Sequence, residues 1–342
     1  MELLGIQFAP LNVPTKRRLQ TLAASGWIIV VGLGSFICTF LTIYILLFSE
    51  YRYLMAPYFL WIYLDRKTCD RGGRSEKWTR WLRNCAWWRY YRDYFPLKLV
   101  KTAELDPKRN YLLCSFPHGV LATGGFGAFA TDVLGFKDLF PGLKITILTL
   151  KQHFHVPFFR EFVFCVGACS ASANSIEYLI GGPETGRATV LIVGGASEAL
   201  ECKPGSYRIV LKRRKGFVKL ALKHGTPLVP VFSFGETDLY DQVNNPEGSF
   251  LRKFQEFFKN CTGIAPVLFL GRGMFQYSFG LLPQRRPITV VVGSPMEIPK
   301  IPKPTTEQVD EYHAKFIDRL TEFFDKYKHE YLANPDTSLI IE

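Results

Sequence analysis

The chain has 342 residues and a formal net charge of +12 at pH 7, and 48% of its residues are hydrophobic and 15% aromatic. This composition is too polar for a protein built of many membrane spans, and the length suits one large domain or two ordinary ones. Because dense Lys/Arg tracts and a recognisable nucleic-acid module are absent from the sequence, the basic balance favours a phospholipid surface or a phosphorylated ligand over nucleic acid.

The cysteines indicate a reducing environment. The chain contains eight of them, scattered from residue 38 to residue 261. A secreted disulfide framework needs denser spacing than this. We therefore expect reduced thiols in a folded region that faces the cytosol.

Two apolar stretches lie near the amino terminus. Thr21–Phe48 contains no charged residue, and as a helix it is roughly 42 Å long, which exceeds the ~30 Å hydrocarbon core of a bilayer. A second, shorter stretch, Tyr53–Leu64, follows after a brief polar break. Basic residues flank the pair on both sides: Lys16, Arg17 and Arg18 before it, and Arg66, Lys67, Arg71, Arg74 and Lys77 after it.

The charge distribution predicts the topology of this region. Since basic residues stay on the cytosolic side, both flanks are expected in the cytosol. We predict a cytosolic segment over residues 1–20 and a membrane hairpin over residues 21–64 that either crosses twice or is re-entrant. The alternative is a single span with the remainder of the chain on the other side, which would not keep both flanks cytosolic.

Residues 65–93 are predicted to form an interfacial amphipathic segment. At 100° per residue, Trp78, Trp81 and Trp88 share one side of a helix, and Arg80 and Arg83 share the other. Trp prefers the membrane–water interface, where cations meet lipid headgroups. The alternative is an ordinary amphipathic helix that packs its Trp side chains into a protein core.

From residue 94 to residue 342 the pattern is that of an α/β domain. Short apolar runs alternate with helical stretches, which predicts a mixed, mostly parallel sheet flanked by helices. The predicted strands are Leu97–Lys101, Tyr111–Ser115, Lys144–Leu150, Phe162–Val166, Ala188–Val193, Leu228–Phe234 and Ile288–Val292. The predicted helices are Gly125–Leu134, Asn174–Ile180, Arg214–His224, Phe250–Phe258 and a last one that begins with a capping box of Thr305 and Gln308.

The most distinctive strand end is Tyr111–Gly119. Pro117 has no N–H and ends the strand, and Gly119 permits a sharp turn. His118 is thereby presented at the carboxyl end of a strand, where open α/β sheets keep their ligand crevices. The alternative is a histidine that merely satisfies a turn or caps the core.

Two further segments carry groups suited to chemistry on an anion. Gly194 and Gly195 follow the strand Ala188–Val193, leave backbone N–H groups free to face an anion, and place Glu198 at the same edge. A cationic run then opens a helix whose amino terminus favours anions, although such a run is by default a solvated face. It contains Lys212, Arg213, Arg214 and Lys215.

Other reaction classes lack their motifs. The sequence has no Gly-X-Ser-X-Gly elbow and no Walker or dinucleotide-binding glycine signature. A lone histidine, a carboxylate, free N–H groups and a cationic helix start suit direct acyl transfer to a hydroxyl from a phosphorylated thioester. We expect no metal ion and no bound cofactor.

At these residues the chain resembles the type-2 diacylglycerol acyltransferase and monoacylglycerol acyltransferase family. The resemblance covers most of the chain, from the apolar hairpin to near the carboxyl terminus. The matching motifs, in order, are Tyr94-Phe-Pro, Phe116-Pro-His-Gly, Gly194-Gly-Ala-Ser-Glu-Ala, Arg214-Lys-Gly-Phe-Val-Lys and Val229-Pro-Val-Phe-Ser-Phe-Gly-Glu.

The resemblance implies a glycerolipid acyltransferase-like fold. It also implies acyl-CoA as donor, a di- or monoacylglycerol as acceptor, and residence in the endoplasmic reticulum membrane and on lipid droplets. Two positions depart from related patterns. Phe116 stands where many members have His, so only His118 carries over. The glycerol-phosphate acyltransferases have His-X4-Asp, whereas the fifth residue after His118 is Thr123, which leaves Glu198 as the candidate acidic partner.

The expected reaction moves a fatty acyl group to the free hydroxyl of diacylglycerol, with His118 as general base and Glu198 as its partner. The oxyanion candidates are the N–H groups of Gly119, Gly194 and Gly195, and the candidates for the CoA phosphates are Arg213, Arg214 and Lys215. Alternatives left open are monoacylglycerol or a fatty alcohol as acceptor, and a non-catalytic lipid-binding protein of lipid droplets. A homo-oligomer is also left open.

Overall fold

The computed structural model describes residues 2–3, 5–10, 12–243, 245–246 and 248–342. The strands are β1 (Glu2–Leu3), β2 (Ile6–Gln7), β3 (Lys98–Lys101), β4 (Tyr111–Phe116), β5 (Lys144–Thr149), β6 (Cys169–Ser170), β7 (Arg187–Ile192), β8 (Tyr207–Ile209), β9 (Leu228–Phe234), β10 (Asp241–Gln242), β11 (Phe269–Leu270), β12 (Thr289–Val292) and β13 (Leu339–Ile341).

The α-helices are α1 (Thr15–Trp27), α2 (Gly34–Phe48), α3 (Met55–Leu64), α4 (Glu76–Arg83), α5 (Trp87–Tyr94), α6 (Thr123–Gly125), α7 (Phe136–Leu139), α8 (Phe159–Cys165), α9 (Ala173–Gly181), α10 (Ala196–Ala199), α11 (Gly216–His224), α12 (Phe250–Thr262) and α13 (Thr306–Tyr331). Two π-helical turns, Ile28–Gly32 and Phe126–Ala130, connect α1 to α2 and extend α6. Short 3₁₀ turns cover Glu50–Leu54, Thr68–Asp70, Lys151–Phe154 and Glu236–Leu239.

A seven-stranded sheet forms the centre of the molecule, in the order β3-β12-β9-β4-β7-β5-β6. Every neighbouring pair is parallel except β12 with β9. The predicted mixed, mostly parallel sheet flanked by helices is therefore confirmed. β4 lies between β7 and β9, so the loops that follow these three strands emerge side by side.

Both faces of this sheet are buried. Along β4, Tyr111 and Leu113 belong to an apolar core that includes side chains of α1 and α5. Cys114 and Phe116 belong to a second core, which includes side chains of α11 and α13. Burial on both faces explains why these strands are continuous apolar runs without a polar alternation.

The predicted strands are confirmed with one exception. Phe162–Val166 is not a strand, because most of it lies in α8, which buries Phe159 and Val163 one helical turn apart. A short apolar run is compatible with either a buried strand or a buried helix. The predicted capping box of α13 is present, since the Thr305 hydroxyl accepts the Gln308 N–H at 3.3 Å and the Gln308 side chain accepts the Thr305 N–H at 3.0 Å.

The apolar stretch expected as one helix over residues 21–48 is divided. Among the described residues no single helix is both long and apolar enough to cross a bilayer, whereas α1 and α2 taken together meet the criteria but are bent by 63° at the break between them. Trp27 of α1 is buried among Tyr91, Phe95 and Phe126, with ring centroids 5.3 to 6.3 Å apart. The first part of the stretch is therefore protein core, while α2 and α3 carry the exposed apolar side chains.

Residues 65–93 form two helices, not the single helix that the Trp pattern predicts. Trp78 and Trp81 of α4 are 70% and 78% exposed, but Trp88 of α5 is buried. Arg83 is also buried, and its guanidinium lies 2.9 Å from an oxygen of Asp132. The prediction that Arg83 faces lipid headgroups is wrong, because this cation is used inside the protein.

Candidate active site

His118 lies in the loop directly after β4. Its side chain is partly buried, and its Nδ1 lies 3.0 Å from the carbonyl oxygen of Gly119. Since a carbonyl oxygen only accepts hydrogen bonds, Nδ1 carries the proton and Nε2 keeps its lone pair. Burial lowers the pKa of His118 below the ordinary value of an imidazole, although the hydrogen bond to Gly119 opposes this shift. The ring is neutral at pH 7 and available as a base.

The turn after His118 requires glycine. Gly119 has a φ of +61°, and a Cβ atom there would lie 2.6 Å from Cγ of Glu236. Both the backbone conformation and the lack of space exclude a side chain. The loop can therefore pass close above Glu236 only with glycine at this position.

Glu198 lies beside His118, as predicted, but it contacts the backbone rather than the ring. One carboxylate oxygen accepts the His118 N–H at 2.7 Å and the other accepts the Val210 N–H at 2.9 Å. Glu198 is fully buried, and burial raises the pKa of its carboxyl group to about 7 against the effect of these two hydrogen bonds. Glu198 fixes the position of His118 and does not form a relay with the imidazole.

Glu236 is a site residue that the sequence did not reveal. It follows β9, and its two oxygens accept the N–H groups of Thr123 and Gly124, both at 2.7 Å. Burial also raises its pKa to about 7. The signals in the sequence are its place two residues after a strand end and at the close of the motif Val229-Pro-Val-Phe-Ser-Phe-Gly-Glu, and neither of them gave it a role.

The two carboxylates hold the histidine loop from opposite sides. Glu198 comes from the segment after β7 and Glu236 from the segment after β9, the two neighbours of β4. Glu198 binds the start of the loop at His118, and Glu236 binds its end at Thr123 and Gly124. Thr123, the fifth residue after His118, thus brings its own N–H to a carboxylate.

The predicted oxyanion donors lie at this edge of the sheet. Within the described residues, the N–H groups of Gly119, Gly194 and Gly195 form no hydrogen bond. Gly194 lies directly under Glu198, since a Cβ atom there would be 1.8 Å from the Glu198 Cδ. The Gly194–Gly195 turn is thereby joined to His118 through one shared carboxylate.

The structure separates the three cations that were expected to act together on phosphates. All three precede α11, which starts at Gly216. Arg213 lines a cavity of about 450 Å³. Arg214 contacts the Ser197 hydroxyl at 3.3 Å, and Lys215 forms an ion pair with Asp310 at 2.7 Å. Arg214 therefore supports the turn that carries Glu198, and Lys215 points elsewhere.

Phe116 is a core residue. Its ring is fully buried and packs against Phe316 of α13, with the ring centroids 6.4 Å apart. A second histidine at this position would lie in an apolar core. The loop therefore offers one imidazole, that of His118.

Comparisons with known proteins place the chain in a family. A family model described as diacylglycerol acyltransferase matches residues 44–342. The chain is 43% identical over 335 residues to a 2-acylglycerol O-acyltransferase 1 of Bos taurus, covering 98% of this chain and 99% of the relative. It is 42% identical to a diacylglycerol O-acyltransferase 2 of Dictyostelium discoideum, covering 95% of this chain and 96% of the relative.

A human acyl-CoA wax alcohol acyltransferase 2 is also 42% identical, with 93% of this chain and 96% of the relative covered. Among solved structures, the 1-acyl-sn-glycerophosphate acyltransferase PlsC of Thermotoga maritima matches with a TM-score of 0.40 and 12% identity, covering 90% of this chain and 97% of that one. By the family match and by the extent of the close sequence relatives, this chain belongs to the diacylglycerol acyltransferase family.

Proposed function

We propose that the protein is a membrane-bound O-acyltransferase that moves a fatty acyl group from acyl-CoA to the free hydroxyl of diacylglycerol, which produces triacylglycerol. The observation that carries the proposal is the His118 loop, fixed between two buried carboxylates with Nε2 of the ring left as an acceptor. The family of the chain supplies the reaction class to which this base belongs.

In the proposed mechanism, Nε2 of His118 takes the proton from the acceptor hydroxyl as its oxygen attacks the thioester carbonyl. Formation of the new C–O bond gives a tetrahedral intermediate. Its oxyanion accepts hydrogen bonds from the N–H group of Gly119 or from those of Gly194 and Gly195. Loss of one such donor typically raises a barrier by roughly 3–4 kcal/mol. The C–S bond then breaks, CoA leaves as a thiolate, and the imidazolium returns its proton to the thiolate or to water.

We further propose that α2 and α3 attach the enzyme to the endoplasmic reticulum membrane and to the surface of lipid droplets, with both termini cytosolic. Apolar side chains of these helices, such as Phe48 at 72% exposure, face outwards. The base of this pair borders the histidine loop, since a Cβ atom at Gly32 would lie 3.4 Å from Leu121 Cδ1. A lipid acceptor that leaves the bilayer along these helices arrives beside His118.

Monoacylglycerol is the second candidate acceptor. The observation that favours it is the identity of 43% and 40% to proteins named 2-acylglycerol O-acyltransferase 1, from Bos taurus and Homo sapiens. A fatty alcohol is the third, on the 42% identity to the human wax alcohol acyltransferase. The three acceptors share the hydroxyl that His118 would deprotonate, so the chemistry proposed for the loop is the same for all of them.

The test is a competition assay with the purified full chain in detergent. Labelled long-chain acyl-CoA is supplied together with diacylglycerol, monoacylglycerol and a fatty alcohol at equal concentrations. We expect triacylglycerol to be the main product, with a rate that a chelator does not change because no metal takes part. If diacylglycerol were the main product, monoacylglycerol would be the acceptor in place of diacylglycerol. If wax ester were the main product, the acceptor would be the fatty alcohol. Binding of lipid without any release of CoA would contradict the proposal.

A further inference from the structure

A cavity of about 450 Å³ adjoins the segments that hold Glu198, since Ser197 and Val210 line it. Its wall combines four parts of the chain: Ser197 and Glu201; Val210, Lys212 and Arg213; the inner side of α12; and Glu342. Its volume lies within the range of small-molecule sites in proteins. The cavity does not include His118 itself.

The charges on the wall are unevenly paired. Arg252 of α12 holds two of the carboxylates, Glu201 and, at 2.8 Å, Glu256. In contrast, no side-chain carboxylate of the described residues lies within 4.0 Å of the side-chain nitrogens of Lys212, Arg213 or Lys259, although the Lys212 backbone N–H donates to the main-chain oxygen of Glu342 at 2.6 Å. Glu342, the third acidic residue of the wall, pairs with Arg208. Each side-chain carboxylate is therefore held by an arginine, while the side chains of Lys212, Arg213 and Lys259 have no ion-pair partner among the described residues.

Lys259 is the cation most affected by this arrangement. It is partly buried on α12, and burial lowers its pKa, a shift that Glu256 opposes and that Arg213 and Arg252 reinforce. Cations that crowd a shared space repel each other until an anion enters. The cavity is thus built to receive negative charge, and Lys259 is a contributor that the sequence motifs did not identify.

The cavity is connected to the histidine loop through Glu198. Ser197 and Val210 both line the cavity. Ser197 immediately precedes Glu198, and the Val210 N–H donates to the same Glu198 carboxylate that accepts the His118 N–H. A ligand whose anionic end lies in the cavity is therefore next to the segment that positions His118.

From this arrangement we propose that Lys212, Arg213 and Lys259 bind the phosphate groups of the CoA part of the acyl donor. The inference rests on the proposed acyl-CoA chemistry and names the donor's phosphate subsite. The 3′-phosphate and pyrophosphate of CoA supply several negative charges at one end of the molecule, and the pantetheine arm separates them from the thioester. Arg and Lys suit such groups because their N–H donors form charge-assisted hydrogen bonds with phosphate oxygens.

The experiment measures binding of CoA to the full chain in detergent by titration calorimetry, together with the KM for acyl-CoA and kcat. The variants are Lys259→Gln and Arg213→Gln. Lys253→Gln is the matched control, because Lys253 is exposed on the same helix and does not line the cavity. We expect the two cavity variants to weaken CoA binding and raise KM roughly 10- to 100-fold. The control should bind as the unchanged protein does, and all variants should keep their melting temperature and their kcat at saturating acyl-CoA.

Dephospho-CoA, inorganic phosphate and phosphatidic acid vesicles distinguish the sources of the phosphate. We expect dephospho-CoA to bind more weakly than CoA, with a smaller difference in the Lys259→Gln variant. Unchanged CoA affinity in both cavity variants would overturn the assignment, even if acyl transfer proceeds. Displacement of CoA by inorganic phosphate or by vesicles at equal or lower concentration, dependent on Lys259, would overturn it in favour of those ligands. Lysine-dependent CoA binding without any acyl transfer would support the subsite and contradict the proposed function.

Discussion

At the scale of single residues, the environment of His118 is decided by hydrogen bonds to its backbone and to the loop behind it. Glu198 and Glu236 are both fully buried, and each uses two oxygens on two N–H groups. Buried carboxylates are costly unless they are hydrogen-bonded in this way. Their role is to keep one loop in one conformation, with the imidazole directed by its bond to Gly119.

Glu236→Gln tests this positioning role. The amide NH2 group would face a backbone N–H, so one of the two hydrogen bonds to Thr123 and Gly124 is lost. Because a displacement near 1 Å costs on the order of 100-fold in rate, we expect kcat to fall by about 10- to 100-fold while the KM for acyl-CoA stays nearly constant. Steady-state kinetics measures both values.

The control for this variant is Glu322→Gln, which changes an exposed glutamate of α13. It should leave kcat unchanged. A loss of roughly 1–3 kcal/mol in folding free energy is also expected for Glu236→Gln, since a buried donor is left unpaired. An unaltered kcat in that variant would show that the loop does not depend on Glu236.

The pH dependence of kcat/KM tests the state of the imidazole. In the proposed mechanism His118 acts in its neutral form, and burial holds its pKa below the ordinary value of about 6.5. The rate should therefore fall as the pH falls through that lowered value, with the acid limb below pH 6.5. Protonation of Glu198 or Glu236, whose pKa burial raises to about 7, would weaken the loop and add a second limb near that pH.

The two limbs can be told apart. The Glu236→Gln variant should change the limb near pH 7 and leave the lower one in place. If the sole acid limb lies above pH 6.5 and persists in both Glu236→Gln and Glu198→Gln, His118 titrates as an ordinary or raised imidazole, contrary to its buried position.

At the scale of elements, an ion-pair cluster joins the end of α3 to α8. Arg160 has a side chain only 1% exposed, and its guanidinium lies 2.5 Å from Asp65 and 2.6 Å from Glu161. Asp65 also pairs with Arg74 at 2.7 Å. These contacts fix the exposed apolar pair α2–α3 relative to the sheet domain.

Asp65→Asn should destabilise the protein by about 3 kcal/mol, because removal of one partner from a buried pair leaves charge uncompensated. Arg160 still pairs with Glu161 in this variant, so we expect a loss of folding free energy at the lower end of the usual range. Asp93→Asn is the comparison, since Asp93 pairs with the exposed Lys16 at 3.6 Å and with the exposed Arg92 at 2.8 Å. Such surface pairs contribute at most about 1 kcal/mol each. Thermal unfolding in detergent measures both, and equal losses would refute the role assigned to the cluster.

The sequence predicted helices and strands best where the residues of a single segment are enough to specify its structure. Leu228–Phe234 and the capping box at Thr305 have the predicted bounds because burial on both faces and a local cap specify them. The error at Phe162–Val166 arises because a five-residue apolar run fits a helix or a strand equally well. Trp88 and Arg83 are buried by tertiary contacts, and these contacts cannot be predicted from the helical spacing of the two residues.

The same limit applies to the site. His118 and Glu198 were found because each follows a recognisable strand end. Glu236 contacts Thr123, which is 113 residues away, and this pairing depends on β9 lying beside β4. Lys259 faces the cationic cavity only because of how α12 docks. Neither the strand order nor the docking of a helix can be obtained from spacing in one sequence.

At the scale of the whole molecule, the outward apolar side chains of α2 and α3 are the feature on which the proposed membrane attachment rests. Phe40, Leu47 and Phe48 are 60% to 72% exposed. Each such side chain gains roughly 1.5–3 kcal/mol when it leaves water. A surface of this kind on a monomer usually marks a membrane or protein contact.

Replacement of Phe40, Leu47 and Phe48 by Ser should therefore reduce binding to phospholipid vesicles by at least about 100-fold in a flotation assay. Activity in detergent should persist, because none of the three residues belongs to the histidine loop. Phe250, Phe254 and Phe257 form an exposed apolar face on α12 and provide the comparison. If their replacement by Ser abolishes vesicle binding while the first variant still floats, attachment through α2 and α3 is wrong.

The most direct measurement is the rate of acyl transfer by His118→Ala in the purified full chain. Removal of a general base typically costs about 10²- to 10⁴-fold in rate, so we expect a loss of that size with CoA binding and melting temperature retained. His155→Ala, which changes an exposed imidazole, should transfer acyl groups as the unchanged protein does. Undiminished transfer by His118→Ala would contradict the assignment of this imidazole as the base.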